Sequence, residues 1–327
     1  MTIEQKLMEK AGMILEEKGH AAVELARRSI LKEQVEHTTL QDALRYFIED
    51  WNDVLHPALV TLACEAVGGL PEVTEQVGAA LVLLAGGADI HDDVIDGSFA
   101  KDSVKTVFGK FGKDLAILAG DALLLNGVYM LHDACEDIGE TKRKAILEIV
   151  KRAFFEISAA EAAETNMRGR IDVPKPEYME IIRRKVAAGE ASSRIGAIIG
   201  NGTPEEVEIL AEFGHVYGVL ISMRDEFVDV FEKDELSNRV EREVLPLPIM
   251  LTLADESMRP SLLRLLEGKK TDEKIEKIVD ITTNSEQSAL LVSEMRQMVD
   301  QVLTRTKNLR YCKEKIEFIA KATLEDL

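Results

Sequence analysis

The chain has little that would cross-link it, interrupt its helices or attach it to nucleic acid. Its 327 residues include only three cysteines, Cys64, Cys135 and Cys312. They are widely spaced, with no CxxC pair and no histidine at zinc-ligand distance, which argues against a disulfide framework and a structural zinc site and fits a reducing cytoplasm. Prolines number eight, so few positions are closed to a helix. Lysine and arginine total 40 against 59 aspartates and glutamates, a formal charge of −19. A chain so acidic offers no clustered basic surface to neutralise nucleic-acid phosphates, and no nucleic-acid partner is expected. No apolar run reaches the roughly 20 residues of a membrane span, and the opening MTIEQKLMEKAG is amphipathic and charged, without the apolar core of a signal peptide. A soluble protein without a membrane span is the expectation.

What the chain does have is helical periodicity. Apolar residues recur at i, i+3, i+4 and i+7 over long stretches, and no segment reads as a confident strand. Turn signals at Val67-Gly68-Gly69-Leu70-Pro71, Asp137-Ile138-Gly139, Val173-Pro174-Lys175-Pro176, Gly200-Asn201-Gly202-Thr203-Pro204 and Arg259-Pro260 separate helical patterns of about 15 to 30 residues. Thr203 followed by Pro204 is a strong helix start, an N-cap hydroxyl with proline at the first helical position. The 46% hydrophobic content suffices for a sizeable core. No low-complexity linker or short-period repeat divides the chain, so an all-α fold is expected, with residues 1–327 in one domain.

Two acidic clusters stand out. The segment from Leu81 to Asp96 is apolar until it delivers His91, Asp92, Asp93 and Asp96 at what reads as a helix C-terminal end. Asp92 and Asp96 are i,i+4 neighbours, so their carboxylates repel each other and also oppose the negative end of the helix dipole. A divalent cation is the simplest compensation, and oxygen-only ligands favour Mg²⁺ shared with substrate phosphates. The segment from Gly218 repeats the pattern, ending in Asp225, Glu226 and Asp229 with the same spacing. A single such motif is a weak signal, because most acidic clusters are solvated or cap helices. Two on apolar helices about 130 residues apart point to a multi-metal diphosphate clamp.

With these motifs the chain resembles the trans-isoprenyl diphosphate synthases, or polyprenyl synthetases. Thr106-Val-Phe-Gly-Lys-Phe-Gly112 and Ala119-Gly120-Asp121-Ala122-Leu123-Leu124 match the family's run after the first motif. Tyr178-Met-Glu-Ile-Ile-Arg-Arg-Lys185 matches the helix carrying its diphosphate-binding lysine, with Val186 in place of the usual Thr or Ser, and Leu245-Pro-Leu-Pro248 stands where a Thr-x-Pro stretch follows the second motif. The likeness covers about residues 40 to 250. It implies a helical bundle of the isoprenoid synthase type around a central cavity, and a Mg²⁺-dependent prenyltransferase, a transferase of alkyl groups other than methyl. Asp92, Asp96 and Asp225 would hold metals, with Asp93, Glu226 and Asp229 supporting, as the allylic C–O bond breaks. Lys185 and a second cation would complete the clamp. Arg239 lies ten residues after Asp229, where the family has a lysine; Arg242 is its rival. The resemblance also carries the expectation of a homodimer, or of a heteromer with a partner synthase.

The likeness breaks down at the family's second anion site, for isopentenyl diphosphate. Where a lysine and an arginine belong, this chain has Asp53 and His56; the histidine aligns with Ala85, and an arginine pair with Lys101 and Asp102. Lys101, His56, Arg168 and Arg170 are the candidate substitutes. Three functions follow: transfer of a prenyl group to isopentenyl diphosphate or an atypical acceptor; a terpene-synthase-like lyase that releases diphosphate; and a non-catalytic subunit of a heteromeric synthase. In the family, residues one turn before the first motif floor the hydrocarbon tunnel. Gly87 and Ala88 stand there with Leu84 a turn deeper, and such small residues leave room for an allylic chain of about C15 to C25, although close helix packing explains Gly86-Gly87-Ala88 as well. His91 and Trp51 read as packing or hydrogen-bonding residues.

Overall fold

A computed structural model describes residues 3–101, 104–268 and 271–325; Asp102 lies outside the described residues. Helices dominate. The first half comprises α1 (Ile3–Lys32), α2 (Thr38–Asp50), α3 (Leu55–Ala66), α4 (Glu75–Asp96), the short α5 (Val107–Phe111), α6 (Lys113–Ala134) and α7 (Glu140–Thr165). Then come α8 (Lys175–Lys185), α9 (Ala187–Ile199), α10 (Pro204–Phe231), α11 (Lys233–Arg242), α12 (Leu247–Leu253), α13 (Arg259–Leu266), α14 (Asp272–Thr283), α15 (Glu286–Thr306) and α16 (Lys313–Ala322).

The boundaries follow local chemistry. Thr203 caps α10 in a full capping box with Glu206, whose carboxylate accepts the Thr203 backbone N–H at 2.8 Å. The acid-rich end of α4 is closed by Gly97 in the left-handed region, φ 71°, a conformation glycine adopts without Cβ strain. The chain then forms a feature that periodicity does not register: β1 (Ala100–Lys101) pairs antiparallel with β2 (Val104–Lys105). Two residues per strand are too few for an alternating pattern to show in the sequence.

Close backbone approach organises the centre. In α9, a methyl on Gly196 would collide with the Val60 carbonyl of α3, and one on Gly189 would sit 2.9 Å from the Gly214 carbonyl of α10. The α4–α6 crossing is equally tight: a Cβ on Gly87 would lie 2.7 Å from Leu124 Cγ and 2.8 Å from the Gly120 carbonyl. Gly87 is therefore a packing residue facing α6, not part of a tunnel floor as its position before the first motif implies. Ala88, one residue on, is rotated about 100° around the helix and faces the cavity.

Two segments, Pro71–Asp96 and Lys113–Ala134, have the length and mean hydropathy of a membrane crossing, a property that the absence of long unbroken apolar runs does not reveal. Within the bundle they pack chiefly against each other as α4 and α6, and α4 ends in the cluster of aspartates.

Replacing Gly87 with Ala is expected to cost about 1 to 3 kcal/mol by overpacking, measured as a lower denaturant midpoint with an unchanged m-value. No change in product length accompanies it.

Candidate active site

The ends of α4 and α10 face each other across a cleft of about 270 Å³. The i,i+4 spacing puts Asp92 and Asp96 on one face of α4, and Asp225 and Asp229 on one face of α10, and all four line it. Asp93 does not. One residue after Asp92, it is turned away from the cleft, 4% exposed, and its Oδ1 lies 2.9 Å from Lys101 Nζ. Asp93, which the resemblance offers as a supporting metal residue, thus meets Lys101 of the hairpin and is not among the residues lining the cleft. Glu226 lines the cleft, but its carboxylate is engaged by the Tyr178 hydroxyl at 2.7 Å, the Leu247 backbone N–H at 2.6 Å and Arg239 at 3.2 Å.

The cations are already paired. Lys185, ending α8, bridges Glu161 at 2.9 Å and Glu164 at shorter range, both on α7. Arg168 binds Asp96 Oδ1 at 2.5 Å and also donates to the Ile95 carbonyl. Arg239 is 8% exposed and donates to Asp229 at 2.5 Å, to Tyr178 Oη at 2.9 Å and to the Val244 carbonyl at 2.6 Å. It therefore stands among the cleft residues, whereas the exposed Arg242 reaches over to the Gly97 carbonyl at 3.3 Å. Arg170 turns outward to Glu177 at 2.7 Å. Glu161, Glu164 and Tyr178 are site residues that the acidic motifs do not reveal. Tyr178 was visible only as a match in the lysine-bearing helix. The two glutamates lie on a helix that shows no DDxxD pattern.

Burial first, then the Asp92 charge, pushes the Asp96 carboxyl up to about 6 against the opposing pull of Lys185 and Arg168. Desolvation with Glu226 nearby takes Asp225 to about 6, and desolvation with surrounding acids takes Asp229 to about 7 despite Arg239. Glu161 rises to about 7, again through burial and the Asp92 charge. Lys185 is held well above its usual value because Glu164 and Glu161 outweigh its desolvation.

The residues present fit a divalent cation. Asp92 Oδ1 is buried without a hydrogen-bond partner, and burial with neighbouring acids raises Asp96, Asp225 and Asp229 toward neutrality. Among the described residues, no three cleft carboxylates bring ligand atoms within 4.8 Å of one another. They frame an open site, the form suited to Mg²⁺, which takes one or two carboxylates and completes its shell with water and substrate phosphate.

Asp92 also lines a second cavity of about 560 Å³, which adjoins the cleft there. This tunnel runs between α4 and α7 past Ala88, Ala85 and Leu84 on one side and Ile157, Ala153 and Phe154 on the other. From Asp92 down to Leu81 is eleven residues of α4, a depth of about 16 Å at 1.5 Å per residue. His56 lines the tunnel, its Nδ1 2.7 Å from Asp53 Oδ2. Burial disfavours the charged ring, but Asp53 outweighs it by charge and hydrogen bond, and the imidazole pKa lies above its usual value. Lys101 is held by Asp89 at 3.0 Å as well as by Asp93. Neither candidate cation is left unpaired to receive a second anion. His91 Nε2 meets the Ile117 carbonyl at 3.2 Å, and Trp51 stacks on Phe47 and donates its indole N–H to the Val82 carbonyl at 3.3 Å, packing and hydrogen-bonding roles for both.

An acid cleft at the ends of two long helices, opening into an apolar tunnel within an all-helical bundle, is the site of a prenyltransferase of isoprenoid biosynthesis. The chain belongs to the polyprenyl synthetase family, whose model matches residues 37–282. It is 27% identical to a short chain isoprenyl diphosphate synthase of Methanothermobacter thermautotrophicus over 94% of this chain and 92% of that one. It is 31% identical to a geranylgeranyl diphosphate synthase of Sulfolobus acidocaldarius over 67% of this chain and 64% of the relative. The fold matches the geranylgeranyl pyrophosphate synthetase of Pyrococcus horikoshii at a TM-score of 0.85 and 22% identity, covering 98% of each chain. It also matches a decaprenyl diphosphate synthase of Rhodobacter capsulatus at 0.82 and 20%, over 98% of this chain and 99% of that one.

The raised carboxyl pKa values have a direct consequence for stability. A folded-state value above the unfolded one favours the fold while the group is protonated, and that contribution disappears as pH rises through about 6 to 7. The melting temperature of the metal-free protein is therefore expected to fall between about pH 5 and about pH 8, and stabilisation by added Mg²⁺ with diphosphate to grow over the same interval. Differential scanning calorimetry with and without chelator checks both.

Proposed function

We propose that the chain binds and ionises an allylic isoprenoid diphosphate with Mg²⁺ and transfers the prenyl group to an acceptor, isopentenyl diphosphate or an atypical one. The observation that carries this reading is Asp92, shared by the acid cleft and the apolar tunnel. A molecule lying across that junction would place its charged head among the carboxylates and its hydrocarbon in the tunnel. The depth and the small lining residues support an allylic chain of about C15 to C25.

Mg²⁺ bound with the diphosphate, held by Asp92, Asp96 and Asp225, supplies neutralisation of the charge that builds on the leaving group. Lys185 transfers its hydrogen bonds from Glu161 and Glu164 to diphosphate oxygens, aided by Arg168 beside Asp96. Arg239 holds Asp229 and Glu226 in place, so it completes the clamp from beneath rather than by reaching over the top. Retention of a partnerless buried Asp92 oxygen argues against a non-catalytic subunit, because a purely structural helix end has no use for it. The chain is read as a single domain from 1 to 327 that works in the cytoplasm as a homodimer. Ile117, Leu118, Leu125, Val128 and Tyr129 leave an apolar face of α6 exposed, which a second copy would cover.

Purified protein with Mg²⁺ and farnesyl or geranylgeranyl diphosphate, with and without isopentenyl diphosphate, tests the reading by mass spectrometry of products. Diphosphate release with a hydrocarbon or alcohol as the sole product would establish the lyase function instead. Asp92→Asn and Asp225→Asn are each expected to lower kcat at least about 100-fold while leaving the melting temperature unchanged or raised. Ala88→Phe is expected to shorten the longest chain accepted or formed, read from the same product masses.

A further inference from the structure

A buried tyrosine lines the acid cleft with a hydroxyl that neither the acidic motifs nor the clamp cations account for. Tyr178 stands about two helical turns before Lys185 on α8, and both line the cleft. Its ring belongs to the main apolar core, while its hydroxyl meets polar groups from α10, α11 and the segment after α11. Oη lies 2.9 Å from Arg239 Nη2, 2.7 Å from Glu226 Oε2 and 3.1 Å from the Leu245 carbonyl. Arginine only donates, so Oη accepts from it and spends its single proton on an acceptor. The shorter of the two is the Glu226 carboxylate. Burial first, then the Glu226 charge, holds the phenol well above its usual pKa, which keeps that proton on the oxygen.

Arg239 depends on this oxygen. A guanidinium carries five N–H donors in a rigid fork, whereas the lysine that the family has here carries three. With the side chain buried, each donor needs an acceptor from the protein. Nε takes the Val244 carbonyl at 2.6 Å and Nη1 takes Asp229 Oδ2 at 2.5 Å, which leaves Nη2 to Tyr178 and Glu226. Glu226 is itself committed, because Oε2 also accepts the Leu247 backbone N–H at 2.6 Å. Without the tyrosine hydroxyl, Nη2 loses its acceptor on α8, and the fork is free to rotate away from Asp229.

We propose that Tyr178 is a positioning residue of the diphosphate clamp: its hydroxyl fixes the Arg239 fork, which holds the Asp229 carboxylate at the cleft and ties the second acidic cluster to the helix of Lys185. This rests on the reading of the cleft as the place where an allylic diphosphate binds with Mg²⁺. Tyr178 acts through Arg239 and Asp229 and touches neither metal nor substrate. The hydroxyl is the acceptor that arginine, in a lysine's position, makes necessary.

The full chain is titrated calorimetrically with inorganic diphosphate over a series of Mg²⁺ concentrations. Tyr178→Phe keeps the ring and removes only the hydroxyl; it is expected to weaken binding about 10-fold and to raise the Mg²⁺ concentration needed for half-maximal binding. Circular dichroism and melting temperature confirm folding of each variant. In an Arg239→Lys background the same change is expected to cost less than about 3-fold, because an ammonium does not need the tyrosine oxygen. A tyrosine that serves only the core would cost the same in both backgrounds. Such additivity overturns the proposal, as does undiminished binding by folded Tyr178→Phe. If Tyr178→Phe alone does not fold, the comparison passes to the double variant, and binding by it more than about 3-fold weaker than that of Arg239→Lys, or its own failure to fold, overturns the proposal. Wild-type protein that does not bind diphosphate with Mg²⁺ overturns the reading of the cleft as well, whereas wild-type binding with either of the other results overturns the positioning role alone.

Discussion

Repulsion among carboxylates is the constraint on which the rest of this molecule depends. Two apolar helices bring four aspartates to one cleft, where burial and neighbouring acids raise Asp96, Asp225 and Asp229 and the helix dipoles offer no relief. The protein answers with buried or half-buried cations, each bound to acids: Arg168 on Asp96, Lys185 on Glu161 and Glu164, and Arg239 on Asp229 and Glu226. That is enough to let the fold close, yet it leaves Asp92 Oδ1 without a partner. The residual imbalance is what makes the cleft a receptor for added positive charge.

Much of this was legible in the sequence because helical geometry is predictable from spacing. An i,i+4 pair must share a face, which placed Asp92 with Asp96 and Asp225 with Asp229. The resemblance supplied Lys185 and the position of Arg239. What stayed hidden depends on rotation and on distant partners. Gly87 and Ala88 are adjacent in sequence, but about 100° of helical turn sends one into α6 and the other into the tunnel. Asp93 belongs to the same acidic motif as Asp92, yet it serves the hairpin. Glu161 and Glu164 had no motif to announce them, because their role is defined by Lys185, more than twenty residues later and on another helix.

The departures from the family pattern also acquire a physical sense once side chains are placed. Asp53 in a lysine's position and His56 in an arginine's would look like the loss of an anion site. In the fold they form a buried hydrogen-bonded pair, while Lys101 is neutralised by two aspartates. In this region the cations are paired with acids rather than free, within a scaffold shared with relatives of similar length.

The crossing of α4 and α6 has a mechanical consequence. At Gly87, Gly120 and Gly127 a methyl would lie 2.8 to 3.1 Å from a carbonyl of the facing helix, with the Leu124, His91 and Leu84 side chains packed against the same glycines, so neither helix can slide along the other without steric collision. Such an interlock makes α4 a stiff jaw. Because α10 is itself locked to α9 where Gly189 meets Gly214, compliance in the width of the cleft falls to the short α11, which is fastened across the opening through Arg242 and the Gly97 carbonyl. A single hydrogen bond of that kind is a catch that thermal motion can release, whereas the glycine interlock is not.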